Sequence, residues 1–137
     1  MAIYRSAALA RTAKADAYAD LYDSTTFTIE IRSGALGATV DGSDVGVVLA
    51  TFTGPTAPAF GSAVDDGTVA AVTAGAVASV TAAATGTAAH FREKRGSTIV
   101  GDGDVGIAGS GATCIISTTA IVAGEPVALL DFVVSQP

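Results

Sequence analysis

Thr26-Phe27-Thr28-Ile29-Glu30-Ile31-Arg32 alternates polar and apolar side chains without a break. A period of two places Phe27, Ile29 and Ile31 on one face of a half-buried strand. Strand-like runs recur downstream: Val45 to Phe52, Ala59 to Val64, Val69 to Ala84, Thr87 to Arg92, Ser97 to Val100, Val105 to Ala108, Ala112 to Thr118 and Val127 to Val134. Turn signals punctuate them: Ser33-Gly34, the loop Gly37 to Asp44, Thr53-Gly54-Pro55-Thr56-Ala57-Pro58, Asp65-Asp66-Gly67, Lys94-Arg95-Gly96, Gly101-Asp102-Gly103-Asp104, Gly109-Ser110-Gly111 and Gly124-Glu125-Pro126. Short strands about ten residues apart predict a mainly β fold, an antiparallel β-sandwich or barrel (jelly-roll-like) with one N-terminal α-helix. Val69, Val72, Val77 and Val80 also fit one helical face, but β-branched Val and Thr favour strand. Val127 to Val134, apolar on both faces but for Asp131, predicts a central strand or one lying against another chain.

Upstream of the first strand the pattern changes. Ala7 to Tyr22 is Ala-rich and lacks Gly and Pro, with Ser6 as the expected N-cap and Asp23-Ser24 as the exit. Leu9, Ala13, Ala17 and Leu21 recur every four residues, with Tyr18 beside them, as the apolar stripe of an amphipathic helix. Residues 1-23 are thus expected to form a helical arm and residues 24-137 the β domain. The stripe has two readings: it packs on its own sheet, or it docks on a neighbouring subunit.

Composition narrows the function. The chain has 137 residues, five Phe, three Tyr, no Trp and a net charge of −6. More than half of it is Ala, Gly, Thr and Val, so each buried side chain removes little apolar area from water. Contact with copies of itself or with a partner is the expected supplement. Seven Lys and Arg against thirteen Asp and Glu argue against nucleic acid, whose phosphates demand cations. Arg92-Glu93-Lys94-Arg95 is the local exception, read as a solvated hairpin tip or, through Arg92, Lys94 and Arg95, as a contact patch for an acidic surface. No signal peptide is expected at Met1-Ala2-Ile3-Tyr4-Arg5. The uncharged stretch from Gly67 to Ala89 is read as paired strands rather than a membrane span, because it lacks Leu, Ile and Phe.

Chemistry-bearing motifs are sparse. Cys114 stands alone in an apolar run and is expected buried. His90 is the one histidine, and no nucleophile elbow accompanies it. Asp102 and Asp104 flank Gly103 without the further oxygen ligands of a calcium loop. No metal, cofactor or catalytic residue is assigned, and the chain is expected not to be an enzyme.

The order of features resembles a known group. An Ala/Arg-rich N-terminal helix precedes a strand ending in Ser33-Gly34, then Val47-Val48-Leu49-Ala50-Thr51-Phe52 and a Pro-containing stretch to Ala59-Phe60. Ala84-Thr85-Gly86-Thr87-Ala88-Ala89-His90-Phe91-Arg92, Gly101-Asp102-Gly103-Asp104-Val105-Gly106 and Ile121-Val122-Ala123-Gly124-Glu125-Pro126-Val127 follow. This resembles small virion structural proteins of tailed bacteriophages over nearly the whole chain. Members often carry a Tyr-Thr-Gly turn with a nearby Pro after the first strand, where this chain has Ile31-Arg32-Ser33-Gly34-Ala35-Leu36. The resemblance implies a multi-copy particle component in the virion, assembled in the host cytoplasm. First among the implied roles is a capsid decoration (cement) protein contacting the major capsid protein and copies of itself. A tail or head-tail component is the alternative. A host-surface or carbohydrate-binding module is a third reading, for which exposed aromatics among Tyr4, Tyr18, Tyr22 and the Phe residues would be needed.

Overall fold

The computed structural model describes residues 3, 5–22, 25–54 and 59–137. The exit at Asp23-Ser24, Tyr4, and the Pro55 to Pro58 part of the predicted breaker lie outside the described residues. Among the described residues one helix, α1 (Ala8–Asp20), precedes twelve strands: β1 Phe27–Arg32, β2 Val48–Thr53, β3 Val64–Asp65, β4 Ala70–Thr73, β5 Val80–Thr81, β6 Gly86–Thr87, β7 His90–Arg95, β8 Thr98–Gly106, β9 Cys114–Ile116, β10 Ala120–Ile121, β11 Pro126–Val127 and β12 Leu129–Gln136.

Eight strands form one sheet in the order β2-β1-β7-β8-β9-β12-β4-β3, and the ribbons β10-β6 and β11-β5 flank it. Every pairing is antiparallel except β8 with β9, so the large sheet is mixed. The sheet is strongly curled. β1 and β12 are four steps apart, about 19 Å in a flat sheet at ~4.8 Å per step. Yet the Phe27 and Phe132 rings lie 6.4 Å apart, centroid to centroid. Phe60, bridged to Ala74 just beyond β4, closes the gap from the far end, with its ring 5.3 Å from Phe27. The fold is mainly β and sandwich-like, with a helix at the N-terminus.

The alternation in β1 is realised as read. Phe27, Ile29 and Ile31 are fully buried. The opposite face of β1 and β7 carries Glu30, Arg32, His90, Arg92 and Lys94 beneath the loop from Gly34 to Val47. The second strand starts later than its apolar run: Val45 and Gly46 stay in the loop, where both carbonyls accept from Arg32 Nη1 at 3.2 Å. The C-terminal strand runs to Gln136, and its Leu130 and Asp131 are exposed.

One turn assignment is corrected. Gly101-Asp102-Gly103-Asp104 lies inside β8, paired with Glu93, Arg92, Phe91 and His90 in turn. Here glycine marks a crowded surface rather than a bend. A Cβ on Gly103 would sit 2.9 Å from the Phe91 ring. The glycine face of β8 is therefore the bed on which Phe91 lies.

Candidate interaction surface

The helix α1 docks on β4, β12 and β3 of its own chain and shares their core. Its buried face is not the predicted stripe. Arg11, Ala15 and Tyr22 are buried and Tyr18 and Ala19 half-buried, whereas Leu9 is 82% exposed, Leu21 41%, and Ala13 and Ala17 exposed. Aromatic area decides this orientation, because large rings remove the most apolar surface from water. Tyr18 and Tyr22 each stack edge-to-face within the cluster, 5.4 Å from Phe60 and 5.3 Å from Phe27 respectively. Reading Leu as the anchor and tyrosine as its flank inverted the face.

Polar contacts fix the helix further. The Arg11 guanidinium grips Asp65 through Nε at 2.6 Å and Nη2 at 2.9 Å, a fork-to-fork pair that holds the Asp65 carboxyl below the usual range. Arg11 Nη1 also donates to the Ser6 carbonyl, and Lys14 donates to the Pro137 carbonyl at 2.9 Å. The expected Ser6 cap is absent: Ala7 occupies the N-cap position with no side-chain hydrogen bond, and the Ser6 hydroxyl accepts from Lys14 instead.

Glu93, 2% exposed, points from β7 into the core under the helix. The Tyr18 and Tyr22 hydroxyls both donate to its carboxyl group. Burial raises the Glu93 pKa, and the two phenol donors oppose the rise. Burial first, and the adjacent carboxyl second, push both phenols above the usual tyrosine range. All three shifts have the same sign. A group whose folded pKa is raised contributes stability below its unfolded pKa and loses it as pH rises through the folded value. Stability is therefore expected to slip gradually above the ordinary glutamate range and to fall steeply once pH exceeds 10. In an alkaline titration read by tyrosinate absorbance, two of the three tyrosines should ionise only together with the loss of secondary structure. Full ionisation near pH 10 in a folded chain would refute the buried triad.

The basic run beside Glu93 does not form the predicted patch. Arg92 is 3% exposed, and its Nη groups donate to the carbonyls of Val40, Gly42 and Ser43 at 2.7–3.2 Å. Its Nε lies 3.2 Å from Asp44 Oδ1, a charge contact without hydrogen-bond alignment. Lys94 reaches Asp44 and Glu30, each at 3.0 Å, and Arg32 pairs with the same two carboxylates. Only Arg95, next to the turn glycine Gly96, stays exposed at the tip. Arg92 and Lys94 hold the 34–47 loop onto the sheet, since buried guanidinium groups must be satisfied. Sequence reasoning assigned the run to solvent because charge normally means exposure. The signal it passed over was period two, which puts Arg92 and Lys94 on one face and Glu93 on the other.

The remaining reactive groups are similarly engaged. His90 is buried, with Nδ1 2.8 Å from the Gly34 carbonyl. Cys114 is buried, and desolvation pushes its thiol up to about 12, so little nucleophilic thiolate exists at neutral pH. All five Phe and Tyr22 are buried, and Tyr18 is half-buried with its hydroxyl on Glu93. The described aromatics thus offer no exposed platform of the kind a sugar ring stacks on.

Among the described residues no helix is long and apolar enough to cross a membrane, and no group of three or more His, Cys, Asp or Glu could hold a metal ion. Comparison of the chain with protein-family models, curated proteins and solved structures finds no match. Alongside scattered exposed apolar side chains such as Val47, Val64 and Leu130, the structure presents outward the helix face carrying Leu9, Ala13, Ala17 and Leu21, on a helix immobilised from behind by Arg11, Tyr18 and Tyr22.

Proposed function

We propose that this chain is a virion structural protein of a tailed bacteriophage, a capsid decoration (cement) protein bound in many copies to the major capsid protein of the head. The resemblance of the Ala84 to Arg92 and Gly101 to Gly106 segments supplies the class. The observation that carries the reading is the outward helix face. Leu9 is left exposed beside Ala13 and Ala17, whose small side chains allow close approach to a flat surface, and the helix behind them is already anchored. A rigid, preformed surface binds at a lower entropy cost than one ordered on contact. The engagement of Glu93, His90, Arg92 and Cys114 in internal networks or burial fits a structural role.

The test uses purified protein added to empty expanded heads that lack it. Binding at a stoichiometry near the number of shell subunits is expected. The double substitution Leu9→Glu and Ala17→Glu should weaken binding by about a hundredfold, the loss of ~3 kcal/mol expected when central contact residues are replaced by charge. Both sites are exposed, so the melting temperature should barely move. Binding to tails alone would transfer the protein to the tail or head-tail role. Equal binding by the double variant would remove the helix face from the interface.

A further inference from the structure

The strand β9 has three residues, while its neighbours β8 and β12 have nine and eight. It pairs with β8 only at Val105 and Gly106, and with β12 only at Leu129, Asp131 and Phe132. Among the described residues, Thr98 to Asp104 pairs with β7 on one side and with no strand on the other. Val134 to Gln136 likewise pairs with β4 on one side only. Two backbone edges therefore border one slot that continues the line of β9. Where β9 fills that line, its neighbours stand two strand spacings apart, about 9.6 Å, the room of one extended chain. A cavity of about 260 Å³ lies here, between Val100, Gly101 and Asp102 on one side and Val134 and Gln136 on the other, with Phe132 in its lining.

Unpaired edges are templates for a further strand, and strand addition is a common mode of peptide recognition. The slot also carries a charge preference. Asp102 and Asp104 project from the face of β8 opposite Gly101 and Gly103; Asp102 lines the cavity, and Asp104 stands at its end, where one carboxylate oxygen accepts from the Thr113 N–H at 3.0 Å. Arg92, the register partner of Asp102, is turned into the carbonyls of the 34–47 loop. The rim is left acidic on a chain of net charge −6, which disfavours a second copy and favours a basic occupant.

We propose that this slot receives an extended basic segment of a neighbouring shell subunit, added as a strand between β8 and β12 with small side chains inward and Lys or Arg toward Asp102 and Asp104. That the segment comes from the shell rests on the decoration reading; the slot and its preference for a basic strand do not.

The probe is the acetylated, amidated hexapeptide Ala-Lys-Ala-Lys-Val-Lys, titrated into the full chain and followed by backbone amide NMR. The amides of Val100, Asp102, Val134 and Gln136 should shift saturably and gain protection from hydrogen exchange. The peptide with Glu at the three Lys positions should bind about tenfold more weakly or worse. Gly101→Ala narrows the slot and should weaken binding. The added Cβ meets only Glu93 Oε1, at 3.7 Å, so the melting temperature should hold. Equal binding of the two peptides, shifts confined to other surfaces, or full protection of these amides in the free chain would each overturn the proposal. Shifts at the slot that depend on protein concentration alone would assign it to a second copy and overturn the basic partner. Peptide binding without binding to heads would retain the slot while refuting the decoration role.

Discussion

Deleting residues 1–22 is expected to leave a chain that does not unfold cooperatively, because the helix supplies part of the hydrophobic core. Ala15 and Tyr22 are fully buried, and Tyr18 and Ala19 pack against the same cluster. Removing them uncovers Phe27 and Phe60 and leaves the Glu93 carboxyl without either phenol donor. Loss of one buried aromatic costs roughly 3–5 kcal/mol, and the deletion removes two tyrosines from this cluster, an amount comparable to the whole stability of a domain. Thermal or urea unfolding followed by circular dichroism checks this. A truncated chain with a sharp transition near that of the full chain would show the helix to be an accessory arm after all. The consequence for any head-binding experiment is practical: truncation cannot separate docking from folding here, whereas Leu9→Glu with Ala17→Glu can.

Gly54→Ala is the second large effect, expected to cost about 3 kcal/mol through overpacking. Gly54 is buried just beyond β2, and its N–H donates to the Phe27 carbonyl at 2.9 Å. A Cβ at this position would lie 2.1–2.6 Å from three atoms of the Phe27 ring. The ring cannot yield easily, since Tyr22, Phe60 and Phe132 pack around it at 5.3–6.4 Å between centroids. Gly67→Ala is the comparison. There a Cβ meets nothing within 4 Å, so only the backbone strain at φ +98° remains. If the two variants melt together, steric contact with Phe27 is not the reason for glycine at 54.

The period-two reading of Thr26 to Arg32 was legible because one face of β1 meets the core and the other a polar layer. The turns at Asp66-Gly67, Gly96 and Gly109-Ser110-Gly111 were legible because positive φ selects glycine and Asp66 folds back on the Thr68 and Val69 amides at 2.8 Å. The burial of Cys114 also followed from its apolar neighbours. The helix face was legible in part: the sequence singled out Leu9, Ala13, Ala17 and Leu21 as a stripe, and the four do share one face, though it faces outward rather than onto the sheet.

The failures share one cause. Gly101-Asp102-Gly103-Asp104 looks like a turn, and Arg92-Glu93-Lys94-Arg95 looks like a solvated tip, because local composition was the only information at hand. Whether glycine bends a chain or clears room for a ring depends on what lies across the ladder, and here Phe91 does. Whether a charge meets water depends on whether a loop closes over it, as the 34–47 loop does over Arg92. The sequence by itself determined the class of fold, the existence of the helix and the strand periodicity, because these arise from neighbours within a few residues. Only the tertiary structure decided the curl of the sheet, the face the helix buries and the partners of Glu93 and Arg92. Those depend on aromatic and charged groups from about 30 to 105 residues apart, brought together when the sheet closes around Phe27, Phe60 and Phe132.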